Sequence, residues 1–157
     1  MRPLFVAWIL FGCLLVGCQS QPASGRVKVA LLDSTPVYHW VNFPSVYRND
    51  VDRALILRDF QLHGFHLPEE FIDKAVQEKI DRDFGGDRAR FMAELQRMGE
   101  TMDNYRQFTG EELILKAMRK RETIVGHDGH PPIPEADWLA SLRKGAKVQM
   151  IAGERPN

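Results

Sequence analysis

Cysteine is nearly absent from this chain: its 157 residues hold two, Cys13 and Cys18, and none follows residue 18. That excludes an internal disulfide, a thiolate nucleophile and a cysteine-ligated zinc from residues 19–157, so packing alone must hold them together. An excess of charge of either sign is also missing, with 21 basic and 21 acidic residues. No bulk field therefore favours nucleic acid. A phosphate-binding loop is lacking too, since Gly85-Gly86-Asp87 has neither the spacing nor the lysine of such a cradle. The one long apolar run, Leu4 to Val16, is too short to span a bilayer comfortably, which takes about 20 residues. What is present is 44% apolar composition over a length that suits one small domain with a modest core.

The amino terminus is a different material from the rest. Arg2 supplies a positive start, Leu4 to Val16 an apolar run, and Leu15-Val16-Gly17-Cys18 a small-residue end, which together predict a signal peptide over residues 1–17. That ending resembles the lipobox of bacterial lipoproteins. The resemblance implies cleavage before Cys18, a diacylglyceryl thioether on its sulfur and an acylated amino group. Two or three acyl chains hold a protein firmly, at about 0.8 kcal/mol per buried methylene. Gln19, standing where an aspartate would retain such proteins at the inner membrane, favours the outer membrane. A plain secretory signal, or an anchor helix with Cys18 incidental, is the alternative. Residues 18–26 then read as a lipidated tether, polar and small from Gln19 to Gly25.

From residue 27 the chain reads as one domain to residue 151, with a tail at 152–157. Val27 to Leu32 is β-prone, Asp33-Ser34-Thr35-Pro36 has turn chemistry, and Val37 to Val41 returns, so a hairpin is expected. Phe43-Pro44-Ser45 interrupts the pattern. Asn49 or Asp50 caps a first helix that runs to Gly64 and carries Val51, Ala54, Leu55, Leu57, Phe60 and Leu62. Between Leu67 and Glu122 the apolar residues recur at helical spacing in three segments. Pro68 with Glu69 and Glu70 opens the first, whose stripe of Ile72, Val76, Ile80 and Phe84 is widened by Phe71 and Ala75. Asp87 caps the second, with Phe91, Met92, Leu95 and Met98 inward before Gly99. Thr101 caps the third, which carries Met102, Tyr105, Phe108, Leu113, Ile114, Ala117 and Met118 toward Arg121. Gly110 inside it costs about 1 kcal/mol relative to alanine, and a kink or break is expected there. Residues from Thr123 to Pro132 form a loop, Pro134-Glu135 opens a short helix with Trp138, Leu139 and Leu142 on one side, and Ala146 to Ile151 alternates like a half-buried strand. The fold class expected is mainly α, with a short amino-terminal hairpin and a carboxyl-terminal strand able to pair with it.

The central block resembles the amino-terminal domain of SurA-like periplasmic chaperones. Its landmarks here are Phe84-Gly85-Gly86-Asp87-Arg88, Gly99-Glu100-Thr101, Tyr105-Arg106 and Met118-Arg119, with Trp138 to Val148 matching the closing helix and strand and Ala30 to Val37 the opening one. In that family one or two parvulin-type prolyl isomerase domains, each close to a hundred residues, commonly lie between the long helix and the closing helix. Here only Thr123 to Pro134 fills that interval. The resemblance thus implies a chaperone domain without isomerase activity, binding unfolded or partly folded outer-membrane and periplasmic proteins without ATP, cofactor or covalent chemistry.

The residue types are compatible with that expectation. Phe91, Met92, Met98, Met102, Tyr105, Phe108 and Met118 offer an adaptable apolar lining for a client, because methionines and aromatics repack around varied segments. The same stripe is more often simply a core. His127-Asp128-Gly129-His130, with His63 and His66, has ligand-like residue types, but no third ligand is placed and the run reads as a polar turn, so no metal is expected. A non-chaperone envelope adaptor or assembly subunit, and a degenerate remnant of an isomerase, remain the competing functions.

Overall fold

The computed structural model describes residues 25–126 and 129–151, so the signal segment, Cys18, most of the tether, His127, Asp128 and the tail lie outside the described residues. The architecture is mainly α, with five α-helices around a small antiparallel sheet. Strand β1 (Arg26–Leu32) and strand β2 (Thr35–Trp40) form the expected hairpin. They are joined by Asp33 and Ser34, both at positive φ (48° and 72°). Two successive left-handed residues match the right-handed twist of the flanking strands, and Asp is among the residues that tolerate them. Pro36 lies inside β2, opposite Leu31. It is tolerated because β2 is an edge of the sheet.

Strand β3 (Val148–Met150) pairs with β1, setting Ala30 opposite Met150 and Leu32 opposite Val148 and giving the order β2-β1-β3. The closing strand thus completes the sheet, as expected. Its three residues are all exposed, however, and not half-buried.

Helix α1 (Asp50–Leu62) starts at Asn49, whose side chain accepts from the amides of Val51 and Asp52. Helix α2 (Glu69–Phe84) ends where Gly85 takes φ 63°, a left-handed cap that an L side chain resists. Asp87 caps α3 (Arg88–Arg97) and Thr101 caps α4 (Met102–Lys120), each accepting an amide of the first turn. Helix α5 (Glu135–Lys144) follows Pro134. Between α4 and α5 the helical path continues through a π-type turn at Arg121–Val125, two residues beyond the point where the sequence turns irregular.

Burial separates into three apolar groups. Trp40, Phe43, Val76, Ile80, Phe91, Leu95 and Phe108 join α2, α3 and the first half of α4 to the end of β2. Ala30, Leu32, Val37 and Leu55 seat the sheet on α1. Ile56, Leu115, Met118 and Trp138 join α1, the second half of α4 and α5. Several stripe assignments need correcting: Leu62, Phe71, Met92 and Ala117 are exposed, and Leu115 rather than Leu113 is the fully buried leucine of α4.

Helix α4 does not break at Gly110, which is buried inside it. A Cβ there would stand 3.1 Å from Ile72 Cδ1 on α2. The glycine therefore serves close helix approach, and the propensity penalty is accepted for it. Gly110→Leu should cost about 1–3 kcal/mol by overpacking this crossing, read from urea unfolding. A leucine variant as stable as the parent would mean that α2 and α4 do not meet closely.

Candidate functional site

Helices α2, α3 and α4 enclose a cleft of about 440 Å³ whose remaining wall is Asn42-Phe43-Pro44, from the connection between β2 and α1. Its floor is aromatic because each helix turns the same side of its stripe toward the others. Phe84 meets Phe91 edge-on at 5.2 Å between centroids, and Phe91 meets Tyr105 at 5.1 Å. Tyr105 meets Phe43 at 5.4 Å, and Phe43 lies 5.0 Å from Phe108. These tilted and edge-to-face contacts are the favoured aromatic geometries, each contributing about 0.5–1.5 kcal/mol beyond area burial.

Of the seven residues expected to line a client surface, Phe91, Met98, Tyr105 and Phe108 line this cleft. Phe91 and Phe108 are nearly closed off from solvent, so they form its floor and not an open face. Met102 packs against the same aromatic group from outside the lining. Met92 and Met118 do not belong. Met92 follows Phe91 by one helical step of about 100°, which turns it out to solvent. Met118 lies ten residues beyond Phe108 along α4, about 15 Å, and is buried between α1 and α5.

The rim is charged. Lys79 and Arg82 on α2 and Glu94 on α3 surround the apolar floor. Hydrogen bonds from Lys79 and then Arg82 hold the Asp83 carboxyl below its usual range, and the Arg97 guanidinium does the same for Glu94. These are exposed pairs that tidy the rim at little energetic gain.

Burial raises the Tyr105 phenol pKa above the ordinary 10.0. Burial also raises that of Tyr47, and the Glu135 carboxylate beside it adds to the rise. A phenol whose folded pKa is raised contributes stability that is intact below its unfolded value and is lost as pH climbs through the folded one. Melting temperature should therefore fall above about pH 10. Tyr105→Phe should flatten part of that fall, leaving the share due to Tyr47, in melts recorded from about pH 9 to 11. An unchanged slope would place the Tyr105 ring in water.

The walls that the sequence did not disclose are Phe43, Pro44, Lys79, Arg82 and Phe84 acting together. Phe84 was already on the stripe of α2; Phe43 sits in a segment whose only local signal was an interruption, and its partners in the cleft, Tyr105 and Phe108, are more than sixty residues away. Of the histidines, His63 Nδ1 lies 2.9 Å from the Asp59 carbonyl and His39 Nδ1 lies 2.9 Å from Asp50 Oδ2. Among the described residues no three His, Cys, Asp or Glu side chains are placed to hold a metal ion, and no helix is long and apolar enough to cross a membrane. No family model, no curated protein and no solved structure matches the chain, so the role of the cleft has to be argued from its own residues.

Proposed function

We propose that this protein is a lipid-anchored, periplasm-facing chaperone-like protein that holds unfolded or partly folded envelope proteins, outer-membrane proteins among them, by binding alone. The observation that carries this reading is the cleft: an aromatic and methionine floor of Phe91, Met98, Tyr105 and Phe108 under a rim of both charge signs. Such a site takes an apolar side chain and tolerates varied flanking residues, which is what a binder of non-native chains needs. Neither ATP nor proline isomerisation enters, and Cys18 supplies the anchor.

Suppression of porin aggregation tests it. At several-fold molar excess the protein should lower the light scattering of an unfolded outer-membrane porin, with proline isomerisation staying at background. Scattering unchanged, together with a single stoichiometric partner on crosslinking in cells, would replace this reading by that of an envelope adaptor. Cys18→Ser should block maturation, and once the signal segment is removed the protein should pass from the membrane fraction to the soluble one; a variant that is processed and membrane-bound as the parent is would remove the lipid anchor from the proposal.

A further inference from the structure

Nine residues, 41–49, join β2 to α1 without regular structure. A polar surface connection would suffice for that span. Instead Phe43 is buried, its ring among Trp40, Tyr105 and Phe108, while Pro44 beside it is exposed. The segment is held on both sides of that ring by side chains. Asn42 Nδ2 donates to the Met98 carbonyl at 3.2 Å and to Glu100 Oε1 at 2.9 Å. Ser45 Oγ donates to Glu112 Oε1 at 2.5 Å, and the Val46 amide donates to Glu112 Oε2 at 3.0 Å.

Open volume borders this strap in two places: the cleft of about 440 Å³ and a second of about 450 Å³, lined by His39, Ser45, Tyr47 and Arg48 among others, with Asn42, Phe43 and Pro44 bordering both. Here one apolar side chain, carried by a strap that polar side chains anchor before and after it, is buried beside two open clefts, as a bound peptide's would be.

We propose that Asn42-Phe43-Pro44-Ser45 is an internal occupant of the client cleft, and that a client enters by displacing it with a segment of the same chemistry. That chemistry is an amide or hydroxyl side chain, then an aromatic ring, then a residue with no amide donor to satisfy. Asn42 answers the α3–α4 junction, Phe43 fills the aromatic floor, and Pro44 fixes the backbone beside the ring. The strap keeps the cleft covered in the absence of client. Because only the fraction of molecules with the strap out is competent, apparent affinity is reduced by that fraction.

This inference takes its ligand from the client-binding reading, and the experiment separates the two. The probe is the peptide acetyl-Asn-Phe-Pro-Ser-amide, titrated calorimetrically into the full chain, with its alanine-for-phenylalanine analogue as control. Phe43→Ala should bind the probe and regain melting temperature with it, and should ignore the analogue. Asn42→Ala/Ser45→Ala keeps the ring but loosens the strap, and should bind the probe about tenfold or more tighter than the parent does. Should Phe43→Ala fail to fold, that double variant decides. Equal affinity in parent and double variant, or a folded Phe43→Ala that ignores the probe, overturns the strap. If the variants behave as expected while porin aggregation is unaffected, the strap stands and the chaperone reading falls. If porin is held equally by parent and double variant and the probe binds neither, the chaperone reading stands and the strap falls.

Discussion

Trp40→Ala should lower stability by about 3–5 kcal/mol, the range for truncating a buried tryptophan. For a domain of this size that is a fall of roughly 10–20 °C in melting temperature. Trp40 ends β2 and is 3% exposed. Its ring lies 5.8 Å from both Phe43 and Phe108, so it is the joint between strand, strap and α4. Its indole N–H donates to Glu111 Oε2 at 2.9 Å, and the Arg26 guanidinium sits over its ring 4.9 Å from the centroid. Alanine would leave a cavity beside Phe43 and take the indole donor from Glu111 Oε2. Trp40→Phe keeps most of the ring contacts and loses the N–H, and should cost about 1–2 kcal/mol. The ordering alanine well below phenylalanine below parent, in melts followed by far-ultraviolet circular dichroism, is the expected result. Alanine and phenylalanine variants of equal stability would show that ring packing does not hold this joint.

That joint also marks where local sequence stops speaking. Helix starts were legible because a cap is settled within three residues: Asn49, Asp87 and Thr101 each accept amides of their own first turn. The hairpin was legible from Asp33-Ser34 between β-prone runs, and so was the pairing of the closing strand with that hairpin, but not that β1 would be the strand to take it. The interior of α4 was not. Its periodicity named Phe108 and Met118 as one face, whereas the helix is long enough to serve two separate apolar groups, one at each end. Gly110 carries the propensity of a helix breaker, yet its meaning lies in Ile72, on another helix. Of the client-facing set, Phe91, Met98, Tyr105 and Phe108 share a cleft because their helices converge there. Which side of each stripe stays open depends on Phe43, a residue with no periodicity to announce it.

Buried charge is the other feature that hydrophobic patterning misses, and α1 shows it most plainly. Asp52 and Arg53 are buried on the same helix as Leu55 and Ile56. Asp52 Oδ1 accepts from Arg143 of α5 at 3.0 and 2.5 Å, tying the closing helix to α1. Glu100 and Glu112 likewise spend their burial on Asn42 and Ser45. A pattern of apolar positions leaves these residues on the solvent side. Only the three-dimensional arrangement supplies the partners that make their burial affordable.

Arg53→Ala tests the strongest of these arrangements and should cost about 3–5 kcal/mol, the cost of removing one member of a buried charge group. Arg53 is 4% exposed. Its guanidinium donates to the Tyr38 carbonyl, and it lies 3.6 Å from Asp50 Oδ1 and 4.0 Å from Glu111 Oε2. Strand β2, helix α1 and helix α4 thus meet on one cation. Without it the Tyr38 carbonyl loses its side-chain donor, and the partly buried Asp50 and Glu111 carboxylates lose the cation they share. Neutralising one of them should recover part of the loss: Arg53→Ala/Glu111→Gln is expected to be more stable than Arg53→Ala alone, with a coupling of about 0.5–3 kcal/mol across the double-mutant cycle. Glutamine keeps an acceptor for the Trp40 indole, so the recovery reports charge and not the loss of that bond. Additive losses in urea unfolding would mean that Arg53 and Glu111 act independently. Coupled losses would tie the cation that orients Glu111 to the indole it holds, and through Trp40 to the Phe43 ring that covers the cleft.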